Sequence, residues 1–281
     1  MTAETTRRVL VTGVRGKTGV PLAELLLARP GVEVRGGSSD PATVTAPGVV
    51  PTAFSWDDQD GWAAATAGID AVFVVRPDRP DAPELIAALL DATPTDAHVV
   101  LLSEQDADYV APDGWAVRAE DAVRRGRHSW TILRPSWFSQ VFTDERFYRE
   151  VLDGAGELPF PSGGASIAWI DARDIAAVAE RALLDEGHDG QVYELTGAEA
   201  LTLPQTADAL SRGAVRPVVH REVGVDEALT GMDAFDRELT ALTFERVQAG
   251  SFAVVTDTVH QVTGRPPRSL ERFLADVRPA R

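Results

Sequence analysis

"VLVTGVRGKTG", residues 9–19, passes from a run of β-forming residues into a turn with glycine at every third position. Val9, Leu10 and Val11 read as a short buried strand, and "VPLAELLLA", residues 20–28, carries apolar residues at helical spacing. The order is strand, turn, helix. In a nucleotide-binding βαβ unit, one glycine permits the sharp turn and a second removes the Cβ that would block a pyrophosphate. A third lets the helix pack close on the strand. The helix N-terminus then offers free N–H groups and a positive dipole end to a phosphate. Gly13, Arg15, Gly16, Lys17, Thr18 and Gly19 are therefore the first expected dinucleotide contacts.

Outward from this turn, strand-like and helix-like segments alternate. "VEVRG" (32–36) follows the first helix, and "VVPTAF" (49–54) precedes "DDQDGWAAATAG" (57–68). "DAVFVV" (70–75), "HVVLLS" (98–103) and "WTILRP" (130–135) each precede a further helical segment, the last expected from Trp137 to about Leu152. Such alternation predicts an α/β fold, a doubly wound parallel Rossmann sheet. Ligands of such sheets lie at the carboxyl ends of the strands. This singles out Gly13 to Gly19, Gly36 to Ser39, the run Val75, Arg76 and Pro77, then Ser103, and finally Arg134 to Ser136, with Ser38, Ser39 and Pro135 as expected cofactor contacts. After Gly154, "GELPFPSGG" reads as a loop, "ASIAWI" as a strand and "DARDIAAVAERALLD" as a helix with Asp174 as its N-cap; "QVYELTG" is another strand. From about residue 200 the chain is mainly helical. The expected division is a dinucleotide-binding domain over 1–200, with 153–170 on the substrate side, and a smaller C-terminal lobe over 201–281.

Composition narrows the function classes. A chain of 281 residues with 44% apolar content is long enough for one large core and an appended lobe. With 27 basic against 43 acidic residues the net charge is −16, which repels nucleic acid. Cysteine is absent, so disulfides, thiolate nucleophiles and cysteine metal sites are excluded. The five histidines, at 98, 128, 188, 220 and 260, have no metal-like spacing, and no metal site is expected. No apolar stretch approaches the roughly 20 residues of a membrane span. The expectation is a cytoplasmic protein, monomer or homodimer, acting on a small molecule away from membranes.

"VTGVRGKTG" (11–19), "FSWDDQDGWAAATAGIDAVFVV" (54–75), "TILRPSWFSQ" (131–140), "WIDARDIAAVAERAL" (169–183) and "VYELTGAEALT" (192–202) resemble, in order and spacing, the NmrA-like branch of the atypical short-chain dehydrogenase/reductases. "FSWDD" and "GRPPRSLERF" (264–273) are similar to the bacterial subgroup related to the ergot-alkaloid reductases. The resemblance spans nearly the whole chain. It implies a Rossmann domain binding NAD(P) and a small substrate lobe, in a branch that includes quinone reductases, iminium reductases and redox sensors. It also implies an adenine contact at Asp57 and a substrate-facing serine at Ser103.

One departure from the wider superfamily decides the chemistry. Its usual Tyr-x-x-x-Lys pair uses the lysine to lower the tyrosine pKa, so that the phenol exchanges a proton with substrate. Lys17 is the single lysine here, and the positions four beyond Tyr109, Tyr148 and Tyr193 are Asp113, Leu152 and Gly197. Aligned on "TILRP" and Glu120, the missing pair falls near Asp113 and Val117. Direct hydride transfer to a quinone, iminium or enone remains available, because positioning supplies most of its acceleration. Ser103 is the expected hydrogen-bond donor, with Tyr109 as a second candidate, and Trp137 and Phe138 are expected to wall the substrate pocket. Asp171 and Asp174 read as helix capping plus an ion pair with Arg173 rather than as a carboxylate pair. Arg15, Lys17 and Arg35, with Ser38 and Ser39 ahead of the late Asp40, favour NADP(H) over NAD(H). The leading expectation is an NADPH-dependent reductase; a dinucleotide sensor that binds a protein partner, and a non-redox enzyme using the cofactor as a template, are the alternatives.

Overall fold

The computed structural model describes residues 6–108, 114–212, 214 and 216–277. Seven strands form one sheet: β1 (Arg7–Thr12), β2 (Val32–Ser38), β3 (Val49–Ala53), β4 (Ala71–Val75), β5 (His98–Leu102), β6 (Trp130–Pro135) and, later in the chain, β9 (Gln191–Leu195). Their order is β3-β2-β1-β4-β5-β6-β9. The pairs from β3 through β6 are parallel. The bonds Gly190 N to Trp130 O and Ser136 N to Leu195 O advance together along both chains, so β9 is parallel to β6 as well. This is the expected doubly wound sheet.

Strands buried on both faces explain the apolar runs. Val9, Leu10, Val11, Val72, Phe73, Val74, Val99, Val100 and Leu101 are fully buried. On one face Leu10, Val72, Val74, Val99, Leu101 and Ile132 pack with α2 (Trp62–Thr66), α3 (Ala82–Asp91) and α4 (Trp115–Arg124) in one cluster. The helix α1 (Gly19–Leu27) follows the glycine turn, and α5 (Ala172–Leu184) precedes β9. Arg29, just beyond α1, pairs with Glu180 and Asp185 at 2.7 and 2.6 Å.

The chain forms two compact units, one of Met1–Arg134 with Ile175–Tyr193 and one of Pro135–Asp174 with Glu194–Arg281. They interleave along the sequence, where the sequence reading placed one cut at residue 200. The second unit holds the short strands β7 (Glu157–Phe160), β8 (Ser166–Ile167), β10 (Leu201–Thr202) and β11 (Val219–Glu222), with β7 parallel to β11 and β8 antiparallel to β10. Its helices are α6 (Leu203–Ser211), α7 (Val225–Ala228), α8 (Ala234–Gln248), α9 (Thr258–Thr263) and α10 (Leu270–Val277). Its core gathers Phe142, Leu158, Phe160, Trp169, Leu210, Phe244 and Phe273.

Three local expectations are corrected. The helix from Trp137 to Leu152 is broken into short turns at Ser139–Phe142 and Val151–Ala155. Backbone pairing is the reason: Ser139 N donates to Ile170 O at 2.8 Å and Ile170 N to Trp137 O at 2.9 Å, which holds this stretch extended. The segment "GELPFPSGG" contains β7. Helix α5 is capped by Asp171, whose Oδ1 accepts from Arg173 N at 2.9 Å, while Asp174 lies in its first turn and pairs with Arg268. The Asp171–Arg173 ion pair is present at 2.5 Å.

His98 opens β5, buried, with Nδ1 2.8 Å from Ser129 Oγ and Nε2 3.0 Å from Thr131 Oγ1. Thr131 Oγ1 donates its proton to His188 O at 2.7 Å, so it accepts from Nε2–H while Nδ1 accepts from Ser129, which satisfies a neutral imidazole. Burial pulls its pKa down to about 4, outweighing the attraction of Asp189. The unfolded chain then binds the extra proton first, so this stabilisation is complete above about pH 6.5 and is lost as pH falls toward 4. Melting temperatures measured across that window are expected to fall less steeply in His98→Gln than in the parent; equal slopes would contradict the assignment.

Candidate functional site

The glycine turn sits at the carboxyl edge of β1, beside β4. Thr12 Oγ1 donates to Phe73 O at 3.0 Å and accepts from Val75 N at 2.8 Å, which locks the two strand ends together. Gly13 has φ +68°, and a Cβ there would lie 3.3 Å from the Val75 side chain. A Cβ on Gly19 would lie 2.3 Å from Gly13 O, so α1 approaches the turn as only glycine allows. Gly16 differs: it is exposed, as Gly13 is, but has no positive φ, and a Cβ there meets Gly13 O alone, at 3.1 Å. The three glycines thus divide into conformation, open surface and close packing.

These residues fit a dinucleotide phosphate. Thr18 caps α1 without a side-chain hydrogen bond, and the first turn of α1 contains no acid. Thr18 Oγ1 is buried with no hydrogen-bond partner among the described residues. An uncapped N-terminus beside an unused hydroxyl is the arrangement an anion completes. Arg15 is exposed and Lys17 half-buried in the same turn.

Along the same edge, Ser38 is buried, its hydroxyl donating to Asp40 O at 2.9 Å, and Ser39 is exposed. Asp40 turns its carboxylate to Ala42 N, capping the turn at 41–43. Asp57 is exposed and paired with Arg79 at 2.5 Å. Val75 ends β4, followed by Arg76 and Pro77, and Pro135 ends β6. Arg35 does not join them. It lies in mid-strand, with Nε on Glu33 at 3.0 Å and Nη1 on Ala67 O at 2.7 Å. Ala67 precedes β4, so this guanidinium leans toward the opposite, amino end of the strands, held there by Glu33 and the Ala67 carbonyl.

Ser103, just beyond β5, is tied into a buried charge network. Its hydroxyl donates to Glu120 Oε1 at 2.6 Å. Arg134 reaches the same carboxylate through Nε at 2.8 Å and Nη2 at 2.7 Å, and Arg124 adds Nη2 at 2.8 Å. Glu120 is fully buried, and four donors occupy its two oxygens. A serine has one proton, and here it is committed to Glu120, so toward a ligand Ser103 is an acceptor. The expectation of Ser103 as donor is corrected by this geometry. Glu120 and Arg124 stand four apart on a helix, a spacing that favours an ion pair, whereas the link to Ser103 is long-range and carries no local signal.

Tyr109 lies outside the described residues. In the second unit Trp137 is half-buried, its ring 5.3 Å from Phe160, 5.8 Å from Phe244 and 6.0 Å from Trp169 and Phe252. Phe138 is also half-buried and bridges to Ile170 through its backbone. Tyr148, which the sequence reading passed over, stacks among Phe142 and Phe160, and burial raises its pKa far above the ordinary phenol range.

A family model described as NAD(P)H-binding matches residues 13–186. The chain belongs to this family. It is similar to an NAD(P)H azoreductase of Xenophilus azovorans, 38% identical over 228 residues, 75% of this chain and 76% of that protein. It is similar to a (4-alkanoyl-5-oxo-2,5-dihydrofuran-3-yl)methyl phosphate reductase of Streptomyces griseus, 32% identical over 278 residues, 95% of this chain and 97% of that one. An agroclavine dehydrogenase of Claviceps fusiformis is 29% identical over 283 residues, with 95% and 96% coverage. Among solved structures, the NADPH-dependent quinone oxidoreductase of Escherichia coli complexed with NADPH superposes with a TM-score of 0.81, at 21% identity, covering 96% of this chain and 99% of that one. That likeness supports the Rossmann-type fold. The protein is an NAD(P)H-dependent oxidoreductase.

Two glycine substitutions separate binding from folding. Gly16→Val is expected to keep the fold and abolish dinucleotide binding in calorimetric titration, because the side chain projects over the surface where the phosphate lies. Gly19→Ala should instead lower thermal stability, by about 1–3 kcal/mol for forced overpacking. Undiminished NADPH affinity in folded Gly16→Val would mean that the turn is not the phosphate seat.

Proposed function

We propose that this protein reduces a small conjugated acceptor by direct hydride transfer from NADPH, with no protein side chain donating a proton in the same step. The Ser103–Glu120 hydrogen bond carries this reading. The one hydroxyl that the superfamily pattern places beside the reacting groups has its proton engaged in a hydrogen bond to Glu120, and the sequence has no Tyr-x-x-x-Lys pair to replace it. When bound, the dinucleotide supplies the hydride. The chain binds its phosphate at Gly13–Gly19, and Ser103 offers an acceptor that orients an N–H group of the ligand. Trp137 and Phe138 serve on the substrate side as an aromatic wall. The similarity to an azoreductase and to a (4-alkanoyl-5-oxo-2,5-dihydrofuran-3-yl)methyl phosphate reductase supports acceptors with an azo or a carbonyl-conjugated double bond.

The preference for NADPH rests on Arg15 and Lys17, with Ser38 and Ser39 in place of an acid directly after β2. A charge-assisted contact of this kind contributes about 1.5–3 kcal/mol, a tenfold change or more. Arg15→Ala with Lys17→Ala is expected to weaken NADPH at least that much relative to NADH, while Arg35→Gln leaves both affinities unchanged. Loss of nicotinamide absorbance across a panel of quinones, enones, azo compounds and iminium salts tests the activity itself. Silence across the whole panel would contradict the reductase reading, and equal affinity for NADH and NADPH would contradict the preference.

A further inference from the structure

Arg76 follows β4 at the edge of the glycine turn, next to the Val75 that Gly13 contacts. Its side chain is only 7% exposed. Nη2 donates to Glu104 at 2.7 Å, and the guanidinium lies 4.0 Å from the centroid of the Trp115 ring. Its Nε–H and Nη1–H are buried and find no acceptor among the described residues. Open donors on a buried cation cost stability, and a close-packed apolar side chain would avoid that cost. At the strand edge where doubly wound sheets bind ligands, such donors point to an acceptor atom on the ligand.

The side of the sheet narrows which ligand atom. Glu104 follows Ser103 beyond β5 and Trp115 opens α4, so the guanidinium leans toward β5 and away from Ser38 and Ser39 beyond β2. A dinucleotide crosses the β1–β4 switch point, with its two halves over opposite halves of the sheet. Ser38, Ser39 and Asp57 stand with the adenosine half, and Arg76 with the reacting half.

We propose that Arg76 is a catalytic residue whose Nε–H and Nη1–H groups stabilise the oxyanion formed on the electron acceptor, selecting quinones and enones over iminium cations. This rests on the reductase reading above. The acceptor gains hydride from NADPH at carbon, forming a C–H bond, and its π pair moves onto oxygen. The resulting enolate takes its proton from water, a quinone adduct then passing its ring C–H proton through water to its second oxygen as it tautomerises to the hydroquinone, and the dinucleotide is left oxidised. Preorganised donors in a water-poor site lower the energy of that developing charge, which is the service the absent tyrosine and lysine would have supplied. An iminium acceptor loses its charge on reduction and forms no oxyanion, and before reduction its positive charge is repelled by Arg76.

The test uses the full chain with Arg76→Met and Arg76→Lys. Removal of an oxyanion donor is expected to lower quinone kcat about 10²-fold in Arg76→Met while NADPH affinity stays within about twofold and iminium reduction does not fall. A second readout needs no turnover: a nitrophenol bound to the NADP+-loaded protein, its phenolate band followed against pH. It should ionise at lower pH in the parent than in Arg76→Met, with Arg76→Lys between them, since lysine keeps the charge but not the fork. An NADPH affinity that falls as far as turnover overturns the proposal, as does an iminium rate that falls with the quinone rate. Identical nitrophenol titrations, or failure of the parent to bind the phenolate, overturn it too. If the parent reduces nothing, the reductase reading fails and the nitrophenol comparison still decides the oxyanion seat. If Arg76→Met does not fold, the comparison of parent with Arg76→Lys decides it.

Discussion

The Thr12 hydroxyl, fully buried, joins the ends of β1 and β4 by donating to Phe73 O and accepting from Val75 N. These strands flank the point where the sheet reverses its direction of winding, and the crevice there is where doubly wound sheets take a dinucleotide. Everything at the site is placed from this bridge. Val75, held by it, is the surface against which Gly13 turns with positive φ, and Gly13 O in turn limits Gly19 to a residue without Cβ. The helix that begins there has neither a side-chain cap nor an acid in its first turn, so its N-terminus keeps its positive character for a phosphate.

On the other side of the same crevice the chemistry is set by committed protons. Glu120 is a fully buried carboxyl group, and burying one is costly unless its oxygens are filled by donors. Arg134, Arg124 and Ser103 fill them. The network stabilises α4 against β5 and β6, and it removes Ser103 from the set of acids. A reductase built this way suits acceptors that need hydride first and a proton later. Arg76 meets the charge that appears in between.

Much of this was legible in the chain. The glycine spacing and the alternation of apolar runs with amphipathic segments are local signals, and the doubly wound sheet follows from them. What escaped is non-local. The stretch after Pro135 has helix-forming composition, yet pairing with Ile170 keeps Trp137 and Phe138 extended. Arg35 has the right charge but sits in mid-strand, three residues before β2 ends at Ser38, and Glu33 and Ala67 hold it away from that end. Ser103 was placed correctly at its strand end, but its role changed once Glu120, seventeen residues on, proved to be its partner. Arg76 was legible only as an edge position; its buried, half-satisfied guanidinium emerges from residues on β4, β5 and α4 together.

The central claim is hydride transfer uncoupled from protein proton donation, and isotope effects address it most directly. Quinone reduction measured with NADPH deuterated at the transferred position, in light and heavy water, should show a primary effect from the deuterated cofactor and a solvent effect indistinguishable from unity on the same step. A solvent effect that multiplies with the primary one, reporting a single proton in flight with the hydride, would contradict the account and place an acid in the site after all.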